Sequence, residues 1–309
     1  MTEFSHTATL GAGVIGASWS ALFLASGRSV AVYDPSPEAE KTGRAYIEKS
    51  WPVLEQLGLT TQGSPDAITF HTSASEAVDG ADFIQESIPE QLPLKHALYG
   101  EIEDAVSQGA IIASSASGLT LSEMQGGWRD PGRLVLGHPF NPPHLIPLVE
   151  VMGNGRTTEG VVEGAEAFYQ AVGKVTIRVN REVPGHVANR LQAAVWREAI
   201  HLISTGVASV EDVDTAMWAG PGLRWAAMGP TMLFHLGAGD GGLAEFCTRY
   251  SDSFNRWWDD LGELRLTPAL AEQLVAGVTQ EANGVSTAEL AAKRDAMLAA
   301  LQVATEKLR

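Results

Sequence analysis

The stretch that most restricts the fold is Gly11-Ala12-Gly13-Val14-Ile15-Gly16. It follows an apolar run beginning at Thr7 and opens a helix-like stretch from Val14 to Ser26. A second apolar run, Ser29 to Tyr33, then ends against Asp34. With 32 glycines in the chain the spacing alone means little, but strand, glycines, helix, strand and acid in this order form a dinucleotide-binding signature. Gly11 permits a tight turn, Gly13 lets backbone approach a pyrophosphate, and Gly16 lets helix and strand pack closely. The N–H groups at the start of the helix face the phosphates. Asp34 accepts from adenosine ribose hydroxyls and repels the extra phosphate of NADP, and no arginine in Pro35 to Pro37 welcomes that phosphate. The expected cofactor is NAD bound by Gly11, Gly13, Val14, Ile15, Gly16 and Asp34, with a flavin as the alternative.

Further apolar runs at Ala81 to Gln85, Ala110 to Ala113, Leu134 to Leu136 and Val175 to Val179 alternate with helix-like stretches. That rhythm predicts a Rossmann-type α/β domain with a mostly parallel sheet over residues 1–182. Ser36-Pro37 reads as the N-cap and first-turn proline of its second helix. From Pro184 strand-like runs cease, and long amphipathic patterns at Val187 to Ile203 and Ala288 to Leu308 predict an all-helical domain over 183–309. Glycine and proline breaks fall at Gly220-Pro221-Gly222, Gly229-Pro230 and Gly237 to Gly242.

Composition narrows the function. A formal charge of −16 with no basic stripe argues against nucleic acid and acidic membrane surfaces. No run approaches the ~18 apolar residues of a membrane helix. One cysteine, Cys247, and an N-terminus without a basic then apolar pattern lead to the expectation of a cytoplasmic protein. No metal site is expected.

Oxidising an alcohol requires a base for the hydroxyl proton. His138 stands at the end of the Leu134 to Leu136 run, where open α/β sheets present ligand contacts. Glu150 is the nearest acid in sequence to orient its ring, and His144 competes for the same role.

Together with Glu86-Ser-Ile-Pro-Glu90, Lys95, Ser114-Ser-Ala-Ser-Gly-Leu119, Gly137 to Glu150 and Asn189-Arg-Leu191, these motifs resemble the 3-hydroxyacyl-CoA dehydrogenase family. The likeness covers nearly the whole chain and is strongest to the branch holding L-carnitine dehydrogenase and L-gulonate 3-dehydrogenase (lambda-crystallin). The resemblance implies His138 as base, Glu150 as its partner, and Ser117 and Asn189 as hydrogen-bond donors around the substrate oxygen. It implies that Asn141, Glu90 and Lys95 line the nicotinamide half of NAD, and that the protein is a homodimer joined through its helical domains.

The sequence departs from CoA-ester users, which resemble one another in a lysine-rich helical insertion. Here Glu38 to Ala67 sets Lys41, Arg44 and Lys49 against Glu38, Glu40, Glu48, Glu55 and Asp66. Gly222 to Pro230 resembles a segment of the carnitine and gulonate enzymes, and Arg224 within it suits a free carboxylate. Five of eight tryptophans (Trp196, Trp218, Trp225, Trp257, Trp258) fall in the helical half, as suits a quaternary ammonium or, more commonly, a core or dimer interface. The expected substrate is a small L-3-hydroxy acid, L-carnitine ahead of L-gulonate. A 3-hydroxyacyl-CoA and a crystallin-like, non-catalytic NAD-binding role are the alternatives.

Overall fold

The computed structural model describes residues 4–306. Eight strands form one sheet: β1 (His6–Leu10), β2 (Ser29–Tyr33), β3 (Ile68–His71), β4 (Phe83–Glu86), β5 (Ile111–Ser114), β6 (Leu134–Pro139), β7 (Leu148–Met152) and β8 (Val175–Arg178). Their order is β3-β2-β1-β4-β5-β6-β7-β8, parallel throughout except where β6 meets β7. The mostly parallel Rossmann sheet is therefore as expected, with two strands the apolar runs did not reveal, β3 and β7. Strand order turns back between β1 and β4, opening a crevice at their carboxyl ends.

Helix α1 (Val14–Ala25) fills one side of the sheet, with every residue from Gly16 to Ala25 buried. Its Trp19 and Phe23 stack at 5.3 Å and join Phe83, Phe168 and Tyr169 in the core on that side. The opposite core gathers Leu10, Ile84, Tyr99, Ile112, Met124 and Trp128. Because both sheet faces are covered, the central strands read as continuous apolar runs. Helix α2 (Ala39–Gln56) begins later than Ser36-Pro37 implied. Asp34 Oδ1 accepts from Ser36 N at 2.9 Å, which holds that dipeptide in a turn, and Glu38 becomes the N-cap.

The remaining helices of this part are α3 (Ala74–Val78), α4 (Leu92–Ile102), α5 (Leu121–Gln125) and α6 (Val161–Ala171). After β8 only helices follow among the described residues: α7 (Ala188–Ser204), α8 (Val210–Ala219), α9 (Pro221–Ala227), α10 (Pro230–Gly237), α11 (Gly242–Asp260), α12 (Pro268–Ala282) and α13 (Thr287–Glu306). The expected end of the last helix at Leu308 lies outside the described residues. Ser209 and Thr267 cap α8 and α12 by accepting from the N–H three residues on, and Pro221, Pro230 and Pro268 occupy first turns, where a missing N–H does no harm. Contacts divide the chain into two compact units. One runs to Ala188 and includes residues 294–306; the other is Asn189–Lys293. No helix is long and apolar enough to cross a membrane among the described residues.

Candidate active site

The glycine loop sits at the mouth of the crevice. Gly11 has φ of +95°, and a Cβ there would lie 2.7 Å from Ser87 O. At Gly16 a Cβ would come within 1.7 Å of Gly11 O, so any side chain would push helix and loop apart. At Gly13 a Cβ would meet nothing within 4 Å. Packing within the protein therefore demands the outer two glycines, and the middle one leaves open space over the start of α1. Gly13 is the N-cap of that helix and offers no side-chain cap. Asp34 Oδ2 accepts from Ala12 N at 2.7 Å, tying the loop to the end of β2.

Beyond β4, the carboxylate of Glu90 gathers the chain that follows β5. It accepts from Ser117 N at 3.0 Å, Ser117 Oγ at 3.1 Å, Gly118 N at 2.5 Å and Leu119 N at 2.8 Å. Partial burial works against its charge, but these donors outweigh burial and hold its pKa below the usual range. Beneath this loop Glu86 is sealed from solvent, accepting from Lys95 Nζ at 2.5 Å, Ile88 N at 2.9 Å, Tyr99 OH at 2.8 Å and Ser114 Oγ at 2.7 Å. The structure thus places Lys95, expected to line the nicotinamide, under the loop with 1% of its surface exposed. Gln85 spans the sheet from the same strand, donating to Ser115 Oγ at 2.9 Å and accepting from Tyr169 OH at 2.7 Å.

His138 and Glu150 stand directly opposite each other across the antiparallel β6–β7 pair. Opposed residues project to the same face, which brings together two side chains twelve apart in sequence. Glu150 Oε2 accepts from His138 Nδ1 at 2.7 Å, while Oε1 accepts from Val187 N at 2.8 Å and Ala188 N at 2.9 Å. Burial disfavours the Glu150 charge, but the His138 bond and the two backbone donors prevail and keep the carboxyl below its usual pKa. An ionised carboxylate only accepts, so Nδ1 carries a proton, and in the neutral ring the lone pair is on Nε2.

His144 is built differently. Its Nδ1 lies 2.8 Å from Ser18 Oγ, and burial pushes its pKa down to about 4, so it remains neutral and anchors the loop to α1. Lys174, buried, donates to the carbonyls of Pro143 and Ile146 and lies 5.0 Å over the Trp19 ring, holding the same loop from below. Asn141 is exposed at the start of that loop. In the helical unit, Asn189 is the second residue of α7 and Arg224 is exposed on α9.

Residues 6–183 match the NAD-binding domain of 3-hydroxyacyl-CoA dehydrogenase, and residues 185–273 match its C-terminal domain. The chain belongs to the 3-hydroxyacyl-CoA dehydrogenase family. Among its relatives are L-carnitine dehydrogenases of Nocardiopsis dassonvillei, 48% identical over 100% of this chain and 96% of theirs, and of Streptomyces griseus, 47% identical over 95% and 88%. That of Oceanobacillus iheyensis is 42% identical over 95% and 96%. A solved structure with TM-score 0.84 and 28% identity is 5-formyl-3-hydroxy-2-methylpyridine 4-carboxylic acid 5-dehydrogenase, an NAD+ dependent dismutase; 98% of this chain and 99% of that one are covered.

This family member is an NAD-dependent oxidoreductase. The residues present fit the cofactor: the open cradle at Gly13 and the uncapped start of α1 suit a pyrophosphate, and each Asp34 oxygen retains a lone pair beside its backbone donor.

Proposed function

We propose that the protein oxidises a small L-3-hydroxy acid with a free carboxylate to its 3-oxo acid, L-carnitine being the preferred substrate. The observation that carries this reading is the 48% identity, over the full chain, to an enzyme that acts on L-carnitine. Two cations of the α2 region support it by being matched already with nearby acids rather than left for CoA phosphates: Lys41 pairs with Glu38 at 3.4 Å and Arg44 with Glu40 at 2.9 Å.

The chemistry NAD supplies is acceptance of the carbinol hydrogen with its electron pair. His138 Nε2 takes the hydroxyl proton, and Glu150 stabilises the resulting imidazolium and fixes the ring. Ser117 and Asn189 donate to the substrate oxygen, the Ser117 hydroxyl turning from Glu90 to do so. Arg224 receives the carboxylate through its fork of N–H groups. Glu90 and Asn141 border the nicotinamide half, and Lys95 acts from beneath by holding Glu86. The helical part carries substrate recognition and pairs with a second copy, a role suited to its exposed Trp218, Trp257 and Trp258.

The test follows NADH formation with L-carnitine, L-gulonate, (S)-3-hydroxybutyrate and (S)-3-hydroxybutyryl-CoA at equal concentration. L-Carnitine is expected to give the highest kcat/KM. Activity confined to the CoA ester overturns the substrate reading, and silence on all four favours a structural NAD-binding role.

A further inference from the structure

Beside the His138–Glu150 pair stands a second imidazole that the chemistry above does not use. The ring of His186 lies 5.2 Å from that of His138, inclined by 56°, and the residue is 3% exposed. Neither Nδ1 nor Nε2 has a hydrogen-bond partner. Among the described buried side chains only Trp128 Nε1 shares that condition. The Ala116 carbonyl faces the ring but stays outside hydrogen-bonding geometry. Buried polar atoms are nearly always bonded, so two orphans in one ring demand an explanation. Packing provides none, because a phenyl ring fills comparable space with no orphaned nitrogen.

The backbone strengthens the point. His186 has φ of +49°, a left-handed conformation unusual for a residue with a side chain. Such strain persists where neighbours over-determine it and gathers at functional sites. Here the neighbours are identifiable: His186 N donates to Val183 O at 3.1 Å, and the next two backbone N–H groups both bind Glu150. The corner is fixed to the same carboxylate that fixes His138.

The surroundings select the occupant. Burial pushes the His186 pKa down, so the ring is neutral, with one N–H donor and one lone pair. The carboxylates of Glu150 and Glu90 act on the same ring, which makes this a poor place for another anion. A neutral oxygen fits. With hydrogen bonds of about 2.8 Å from ring nitrogens, rings at this separation can share one oxygen.

We propose that His186 is a further catalytic residue, donating its ring N–H to the substrate oxygen whose proton His138 removes. This rests on His138 being the base. No bond to His186 forms or breaks; its N–H steadies the oxygen as O–H cleavage leaves negative charge there, and in the reverse direction it polarises the carbonyl.

The test compares His186→Phe, which keeps the bulk, with His186→Gln, which keeps a donor. The variants are assayed on whichever of the four compounds wild type oxidises fastest, and on acetoacetate reduction by NADH. His186→Phe is expected to lower kcat about 100-fold, with the Kd for NADH within twofold of wild type, and His186→Gln to recover about tenfold of that loss. A kcat within threefold of wild type in His186→Phe, or equal losses in both variants, overturns the proposal. So does a defect confined to KM. A readout independent of turnover is the spectrum of isotope-labelled histidine as acetoacetate is added to the NADH complex. A His186 ring resonance is expected to shift, and an unmoved ring overturns the proposal even if no test substrate is oxidised. Full activity in His138→Ala would instead overturn the base assignment.

Discussion

The two units distribute their apolar side chains in opposite ways. In the α/β unit Trp19, Phe23, Phe83, Phe168 and Tyr169 are wholly buried, and even the charged Glu86 and Lys95 are sealed within it. In the helical unit α9, α10 and α12 bury no residue, while Trp196, Trp218, Trp257 and Trp258 each expose more than half their surface. The first unit holds the His138–Glu150 pair within its own buried interior. The second displays more apolar surface than an isolated domain ordinarily tolerates, the mark of a surface made to be covered. On the reading proposed above, reaction chemistry lies in the first region and substrate recognition in the second.

The largest effect expected belongs to the ordered unit. His138→Ala should lower kcat about 100-fold to 10,000-fold while NADH binds nearly as before, because proton transfer is lost and docking is not. Stopped-flow turnover with parallel NADH titration measures both; retention of more than about a tenth of wild-type kcat would contradict the assignment. Next in size is Lys95→Ala, which removes the cation bonded to the buried Glu86. A loss of about 3–5 kcal/mol is expected in urea unfolding. A loss below about 1 kcal/mol would mean that water reaches Glu86. For the helical unit the prediction is concentration dependence. If a second copy covers the tryptophans, sedimentation gives a dimer at micromolar protein and Tm rises with concentration. A monomer with constant Tm would erase the contrast between the units.

Legibility followed the same division. The glycine loop, Asp34 and most of the parallel strands were readable because each signal is local: a turn that only glycine tolerates, or an apolar run. β7 was not, since the prolines of Pro139 to Pro147 disguise the approach to an antiparallel strand. Without it the His138–Glu150 spacing was merely one of many, and the resemblance, not the spacing, carried the pair. β3, Ile68-Thr-Phe-His71, has only two apolar residues and so forms no apolar run. Gln85 looked like the polar end of an apolar run, and its bonds across three strands exist only once the sheet forms. His186 carries no sequence signal, because its meaning lies in missing partners and a left-handed backbone.

The smallest expected effect tests how firmly the Ser117 loop is held. Glu90 has a folded pKa below the usual carboxylate value of about 4.3, caused by the Gly118, Leu119 and Ser117 donors acting against desolvation. Above that usual value the carboxylate is ionised in both folded and unfolded chains, and its full contribution is present. As pH falls below it, the unfolded chain takes up the proton first, so stability is lost progressively until the folded pKa is passed. Glu90→Gln removes the charge at every pH. Because Glu90 is exposed and water screens its charge, wild type should exceed the variant by less than about 1 kcal/mol near neutrality, and the difference should shrink as pH falls below about 4. Urea midpoints of both proteins from neutral pH downward measure the gap. A gap constant across that range would show that the carboxylate's charge contributes nothing and that amide and acid hold the loop equally well. Ser117 would then owe its position to β5 and the backbone alone, and the ordered unit would be less dependent on its buried and half-buried charges than its hydrogen bonds suggest.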